Sequence, residues 1–192
     1  KIKNSEVHFK ENDRTLSEGY GITNSGTLRV EENSVISVGI PEHQSGINMG
    51  IRTTESGNTI IDNSTIKVNG GSTGYGIYVS DSNSHATILS GNVEVKDSRV
   101  AYGAYANYGI YTMGHYEGVE AESELVSDTN PRIYASGSTR GIGVKKVNGQ
   151  FEFYDGIVWG SRYAKPETTT LVEKLYEVTT YVDETTTYEY AL

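Results

Sequence analysis

A cassette that returns about every 30 residues constrains this chain more than any other feature. Asn4-Ser5-Glu6-Val7-His8-Phe9 comes back as Asn33-Ser34-Val35-Ile36-Ser37-Val38 and again as Asn63-Ser64-Thr65-Ile66-Lys67-Val68. Looser copies follow at Asp97-Ser98-Arg99-Val100-Ala101-Tyr102 and Asn130-Pro131-Arg132-Ile133-Tyr134-Ala135, and a degenerate one at Asp155-Gly156-Ile157-Val158-Trp159-Gly160. The leading positions are 29, 30, 34, 33 and 25 residues apart. Within a copy the apolar residues sit two apart, which is the period of a strand. The leading Asn or Asp suits a tight turn. Stacked at one corner of successive coils, Asn4, Asn33, Asn63, Asp97, Asn130 and Asp155 are expected to bond to one another in a ladder.

Two further motifs ride on the same period. One is Gly-Ile, at Gly21-Ile22, Gly50-Ile51, Gly76-Ile77, Gly109-Ile110 and Gly141-Ile142. The other is a glycine followed by alternating residues: Gly26 with Leu28 and Val30, Gly57 with Thr59 and Ile61, Gly91 with Val93 and Val95, Gly149 with Phe151 and Phe153. In the fourth unit this second motif loses its glycine, and Glu124-Leu125-Val126 stands in for it. Three short strands per repeat, in fixed order, describe an all-β, three-sided parallel β-helix of about five coils. Its coils bury their inward residues only by stacking. Parallel crossovers predict a right-handed winding. A β-sandwich of regular short strands is the alternative, but a sandwich does not repeat a three-motif cassette in register.

The repeat occupies residues 1–164, and 165–192 read differently. Lys165-Pro166-Glu167-Thr168 is a linker or turn, after which Leu175–Val182 and Thr185–Leu192 predict two strands of a hairpin around Asp183-Glu184. The hairpin either caps the β-helix or leads into a further module. The chain opens with Lys1 inside a coil, so a cap or further coils are expected ahead of it within a larger multidomain chain. Longer turns at 80–86 and 113–123 are expected to project as loops, where binding usually sits.

Several chemistries are disfavoured by composition. With 25 acidic against 16 basic residues the net charge is −9, the wrong sign for a nucleic-acid footprint. The absence of cysteine removes disulfides, thiol catalysis and thiolate metal sites. Apolar residues never run to the roughly 20 that a membrane helix needs. The four histidines, His8, His43, His85 and His115, share no metal-like spacing. Asp81-Ser82-Asn83-Ser84 lacks the further oxygen ligands of a calcium loop and reads as a polar turn. No cofactor or metal is expected.

Many β-helices are carbohydrate-degrading enzymes, so the fold alone does not decide the function. A glycosidase needs two carboxylates across a groove. Glu94 and Glu152 are the candidates, expected on the same side two coils apart, about 10 Å at a strand spacing of roughly 4.8 Å. Tyrosine offers a different chemistry. The place after Gly-Ile holds Arg52, Tyr78 and Tyr111, which alternation turns outward, and Tyr105 and Tyr116 are expected to extend the patch from nearby loops. Tyr78 and Tyr111 are expected to stack on adjacent coils beside Arg52. Exposed flat rings suit the apolar face of a sugar, and the hydroxyl adds a hydrogen bond. Stacked aromatics can equally just stabilise neighbouring strands.

The Gly-Ile and Asn-Ser motifs resemble the β-helical repeats of secreted and surface-anchored bacterial proteins, chiefly large adhesin-like ones. Gly149-Gln150-Phe151-Glu152-Phe153-Tyr154-Asp155-Gly156-Ile157, followed by Gly160 and a Tyr176-Glu177-Val178 strand, resembles the Gram-positive type. The resemblance covers nearly the whole chain. It implies an extracellular or cell-surface, multidomain protein and names no ligand. The expectation is a non-catalytic stalk with an adhesive surface for a glycan or a host or cell-surface protein. A polysaccharide lyase or hydrolase and a pure spacer are the alternatives.

Overall fold

A computed structural model describes residues 1–9, 18–43, 45–114, 131–153, 156–161, 176–182 and 185–191, the last two segments through their strand pairing. Among the described residues there are seventeen strands and no helix. They wind into a β-solenoid of about five turns, as the repeat predicts, with three strands to a turn.

Face A stacks β1 (Ile2–Lys3), β4 (Thr27–Glu31), β7 (Asn58–Ile61), β10 (His85–Ile88), β12 (Ile110–Met113) and β14 (Gln150–Phe153), each parallel to the next. Face B stacks β2 (Glu6–Phe9), β5 (Val35–Val38), β8 (Ser64–Asn69), the first part of β11 (Gly91–Ala106), the first part of β13 (Arg132–Lys146) and β15 (Gly156–Gly160). Face C stacks β3 (Glu18–Asn24), β6 (Ile47–Thr53) and β9 (Thr73–Val79) on the second parts of β11 and β13. β11 and β13 therefore run across a corner, and faces B and C merge into one sheet there. On β15 the direction reverses: β17 (Thr185–Ala191) pairs with it antiparallel, and β16 (Tyr176–Val182) pairs antiparallel with β17. This is the expected C-terminal hairpin, laid on the last strand of face B.

The core is a set of rows running along the axis. Ile36, Ile66, Val93, Ile133 and Val158 form one row on face B, all nearly inaccessible to solvent. Val30, Ile61, Ile88, Met113 and Phe153 form one on face A, and Ile51, Ile77, Ala104 and Val144 one on face C. Side-chain volume shifts between faces along the rod. Where face A carries Tyr111, Met113, Phe151 and Phe153, face C has fallen to Ala104 and Val144 and face B includes Ala135. A close-packed interior demands such compensation.

The glycine of each face C strand allows faces B and C to approach. A Cβ on Gly50 would lie 2.5 Å from the Gly76 carbonyl oxygen and 2.6 Å from Ile66 Cγ2; one on Gly76 would collide with Val93 Cγ1 and the Gly103 carbonyl. This column runs Gly21, Gly50, Gly76, Gly103 and Gly143, which corrects the last two expected copies. Gly109-Ile110 opens β12 on face A instead, where Ile110 pairs in register with His85, and Gly141-Ile142 lies two residues ahead of the true pair, Gly143-Val144.

The corner residues are corrected likewise. Asn4, Asn33 and Asn63 share one corner, all exposed and all with positive φ (46°, 59° and 42°). Asparagine is there because it tolerates the left-handed conformation. The described hydrogen bonds at that corner are not an asparagine side-chain ladder. The Asn33 N–H donates to the Asn63 carbonyl, and the Asn63 N–H to Ser90 Oγ at 2.6 Å. Ser90, not Asp97, is the fourth member of the column, because Gly91 pairs with Ser64. Asp97 turns the next corner, between faces B and C, with φ of 57°. Asn130, Asp155 and the Glu124-Leu125-Val126 segment lie outside the described residues.

Candidate functional site

Face C turns two rows of side chains outward. In the first, Tyr20, Met49, Tyr75, Tyr102 and Ile142 are in register, Met49 and Ile142 being buried; in the second, Thr23, Arg52, Tyr78, Tyr105 and Lys145. Parallel pairing superimposes equivalent residues, so the four central tyrosines form a tetrad. Tyr75 stacks on Tyr102 (centroids 5.1 Å, planes 11° apart) and Tyr78 on Tyr105 (5.3 Å, 22°). Across the rows the contacts are edge-to-face, Tyr75 with Tyr78 at 5.4 Å and with Tyr105 at 5.3 Å, and Tyr102 with Tyr105 at 5.2 Å. Each such pair contributes about 0.5–1.5 kcal/mol beyond burial. All four rings are half-buried. Burial pushes the Tyr75 hydroxyl well above its ordinary pKa, and Tyr102, Tyr105 and Tyr78 add to the rise. Arg52 precedes Tyr78 in the second row, its guanidinium 5.7 Å from the Tyr20 ring centroid.

Of the expected site residues, Arg52, Tyr78 and Tyr105 are thus brought together. Tyr116 lies outside the described residues. Tyr111 is a correction: it sits on face A, points inward, is fully buried and stacks on Phe151 at 5.5 Å. Its Gly-Ile pair begins β12, and the residue after that pair there falls on the core side. Among the described residues the Tyr111 hydroxyl has no hydrogen-bond partner, and burial raises its pKa far above the ordinary tyrosine value. Alternation from Ile77 does not place Tyr75 and Tyr102 on the outside. The signal for them is the doublet Tyr75-Gly-Ile-Tyr78 and Tyr102-Gly-Ala-Tyr105, 27 residues apart.

The stacking changes what the tetrad offers. Rings that stack along the axis occupy one another's broad faces. The flat platform expected from the sequence is therefore consumed by the tyrosines themselves.

The candidate acid pair is separated. Glu94 lies on face B, ion-paired with Lys96, whereas Glu152 lies on face A, in register with Thr112 and hydrogen-bonded to its hydroxyl at 3.4 Å. They do not share one side, as alternation had suggested, because the two Gly-initiated motifs belong to different faces. At the 81–84 turn the Asp81 carboxylate accepts backbone N–H groups from Glu55, from Ser56 at 3.4 Å and from Asn83 at 3.2 Å. Burial pushes that carboxyl up, but the hydrogen bonds outweigh it and hold it below its ordinary pKa. Its oxygens are turned to donors and clip one turn to the next. Among the described residues no three His, Asp or Glu side chains group as a metal site.

A second feature lies on face B. Tyr134 and Trp159 stack with centroids 4.1 Å apart and planes 4° apart, and Lys96 Nζ stands 5.2 Å from the Tyr134 centroid. They form one wall of a half-open groove of about 400 Å³ that runs along the axis. No protein-family model, curated protein or solved structure matches the chain.

Proposed function

We propose that the chain is a non-catalytic β-helix module of a secreted or cell-surface bacterial protein, a stalk carrying an adhesive surface for glycans. The observation that supports this most is the in-register parallel pairing of three faces through about five turns. It makes a stiff rod that repeats equivalent side chains along its outside. Such a rod holds binding groups at fixed spacing, which lowers the entropic cost of engaging an extended chain. The face C tetrad, with Arg52 at its edge, gives it a hydroxyl-rich aromatic strip. The separation of Glu94 from Glu152 onto two faces weighs for the non-catalytic reading over the enzyme.

A polysaccharide panel, read for binding and for chain cleavage in the same samples, tests it. Binding without cleavage, weakened at least tenfold in a folded Tyr78→Ala/Tyr105→Ala variant, is the expected result. Cleavage of any polymer overturns the non-catalytic reading. Silence across the panel overturns the adhesive one and leaves a spacer.

A further inference from the structure

On a parallel sheet the outward residues of each strand stand in two columns, with a trough between them over the inward residue. On face B one column runs Thr65, Asn92, Arg132 and Ile157, and the other Lys67, Glu94, Tyr134 and Trp159. The trough over Val93 and Ile133 is the 400 Å³ groove, within the size range of ligand pockets. The Tyr134–Trp159 stack stands opposite Arg132 and Ile157, and Lys67 and Glu94 stand opposite the shorter Thr65 and Asn92.

Its charge is one-sided. Glu94, the carboxylate lining the groove, is already matched by Lys96, which also leans over Tyr134. Lys67 and Arg132 are both exposed, and neither side chain has an ion-pair or hydrogen-bond partner among the described residues. They stand two turns apart on opposite sides of the trough, roughly 10 Å along the axis at about 4.8 Å per turn. Lys67 is in register with Glu94, so Lys67, Lys96 and Arg132 stand around a single carboxylate, and this excess of cations in a chain with net charge −9 is a local reversal of sign. An arginine and a lysine so placed fit anionic groups carried on an extended ligand.

We propose that this face B groove binds an acidic polysaccharide lying along the solenoid axis, with Lys67 and Arg132 meeting successive anionic groups and the edge of Trp159, one turn beyond Arg132, packing against the next sugar. The proposal rests on the adhesive reading for the class of ligand, but it uses a different face from the tetrad.

Trp159 is the single tryptophan of the chain, so its fluorescence reports on this groove alone. The whole chain is titrated with polygalacturonate as the carboxylated probe, heparin as the sulfated probe and dextran as the neutral one. At least one acidic polymer is expected to change the Trp159 emission saturably, with dextran silent. The half-saturation concentration should rise at least tenfold in Lys67→Gln/Arg132→Gln, two exposed positions whose change leaves the core untouched. The Tyr78→Ala/Tyr105→Ala variant should respond as the parent does. Comparison of the two acidic probes tells carboxylate from sulfate. No emission change with either acidic polymer, an equal change with dextran, or an unaltered response in the Lys67/Arg132 variant overturns the groove. Loss of the response only in the tyrosine variant also overturns it, while upholding the face C reading.

Discussion

The rings of Tyr75 and Tyr102 lie one turn apart on face C with their planes 11° from parallel and their centroids 5.1 Å apart. That distance is close to the spacing of hydrogen-bonded strands. The backbone ladder therefore delivers the two side chains at the separation that aromatic stacking prefers, with no adjustment of either. The same holds for Tyr78 on Tyr105, and the edge-to-face contacts knit the two stacks together.

Because Tyr75 and Tyr102 touch, their losses should not add. Tyr75→Ala and Tyr102→Ala are each expected to cost about 2 kcal/mol. A double-mutant cycle by urea unfolding should return a coupling of about 0.5–1.5 kcal/mol. Coupling near zero would mean that the tetrad is held by the strands alone.

Gly50→Ala should be among the most damaging single changes. The added methyl meets the Gly76 carbonyl oxygen and Ile66 Cγ2 at 2.5 and 2.6 Å, and neither a ladder carbonyl nor a core isoleucine can retreat. A loss of about 3 kcal/mol is expected. Gly26→Ala is the matched control: a Cβ there has nothing within 4 Å, and its stability should stay within about 0.5 kcal/mol of the parent. Thermal unfolding of the pair checks both.

Tyr111→Phe should stabilise the protein, since it removes a buried hydroxyl that has no partner among the described residues and keeps the ring on Phe151. A gain of about 1 kcal/mol is expected at pH 7. The pH dependence has a definite sign. The folded pKa of Tyr111 is raised, so the folded state keeps a proton that the unfolded chain releases near pH 10. Its contribution is whole below about pH 10 and falls above it by up to about 1.4 kcal/mol per pH unit. Denaturation between pH 9 and 11 should show a shallower fall in Tyr111→Phe than in the parent.

Asp81 behaves in the opposite sense. Its folded pKa is lowered, so its contribution is present above about pH 4, the unfolded value, and is lost as pH falls through the folded one. Asp81→Ala should cost about 0.5–1 kcal/mol at pH 7 through the lost hydrogen bonds to the exposed N–H groups of Glu55 and Ser56, which water then solvates. Parent and variant should converge in stability as the pH is brought below about 4, which urea titrations at stepped pH would reveal.

The first three turns were legible because each carries Asn-Ser and Gly-Ile at strict register, and register is what parallel stacking reads. The later turns were not, because Gly-Ile is also a string that opens a face A strand at Gly109-Ile110. In addition, the true partner of Ile77 is Ala104, reduced in size along the rod where Tyr111 and Phe151 add bulk on face A. Simple alternation failed at the tetrad for a local reason. Gly76 and Ile77 both face inward, two in succession, so Tyr75 ahead of them and Tyr78 behind them both emerge on the outside. The groove was hidden for want of the face B register, which alone places Lys67, Arg132 and Trp159 around one trough.

Eight residues separate β5 from β6 at the corner between faces B and C, and three separate β8 from β9 at the same corner one turn later. The flanking strands still pair without a slip, Val38 with Val68 and Ile47 with Thr73. Length is thus negotiable at the corners and nowhere else. A peptide grafted into 39–46 would ride on the rod as cargo, held at a known height along the axis and leaving both outward columns of every face in their places.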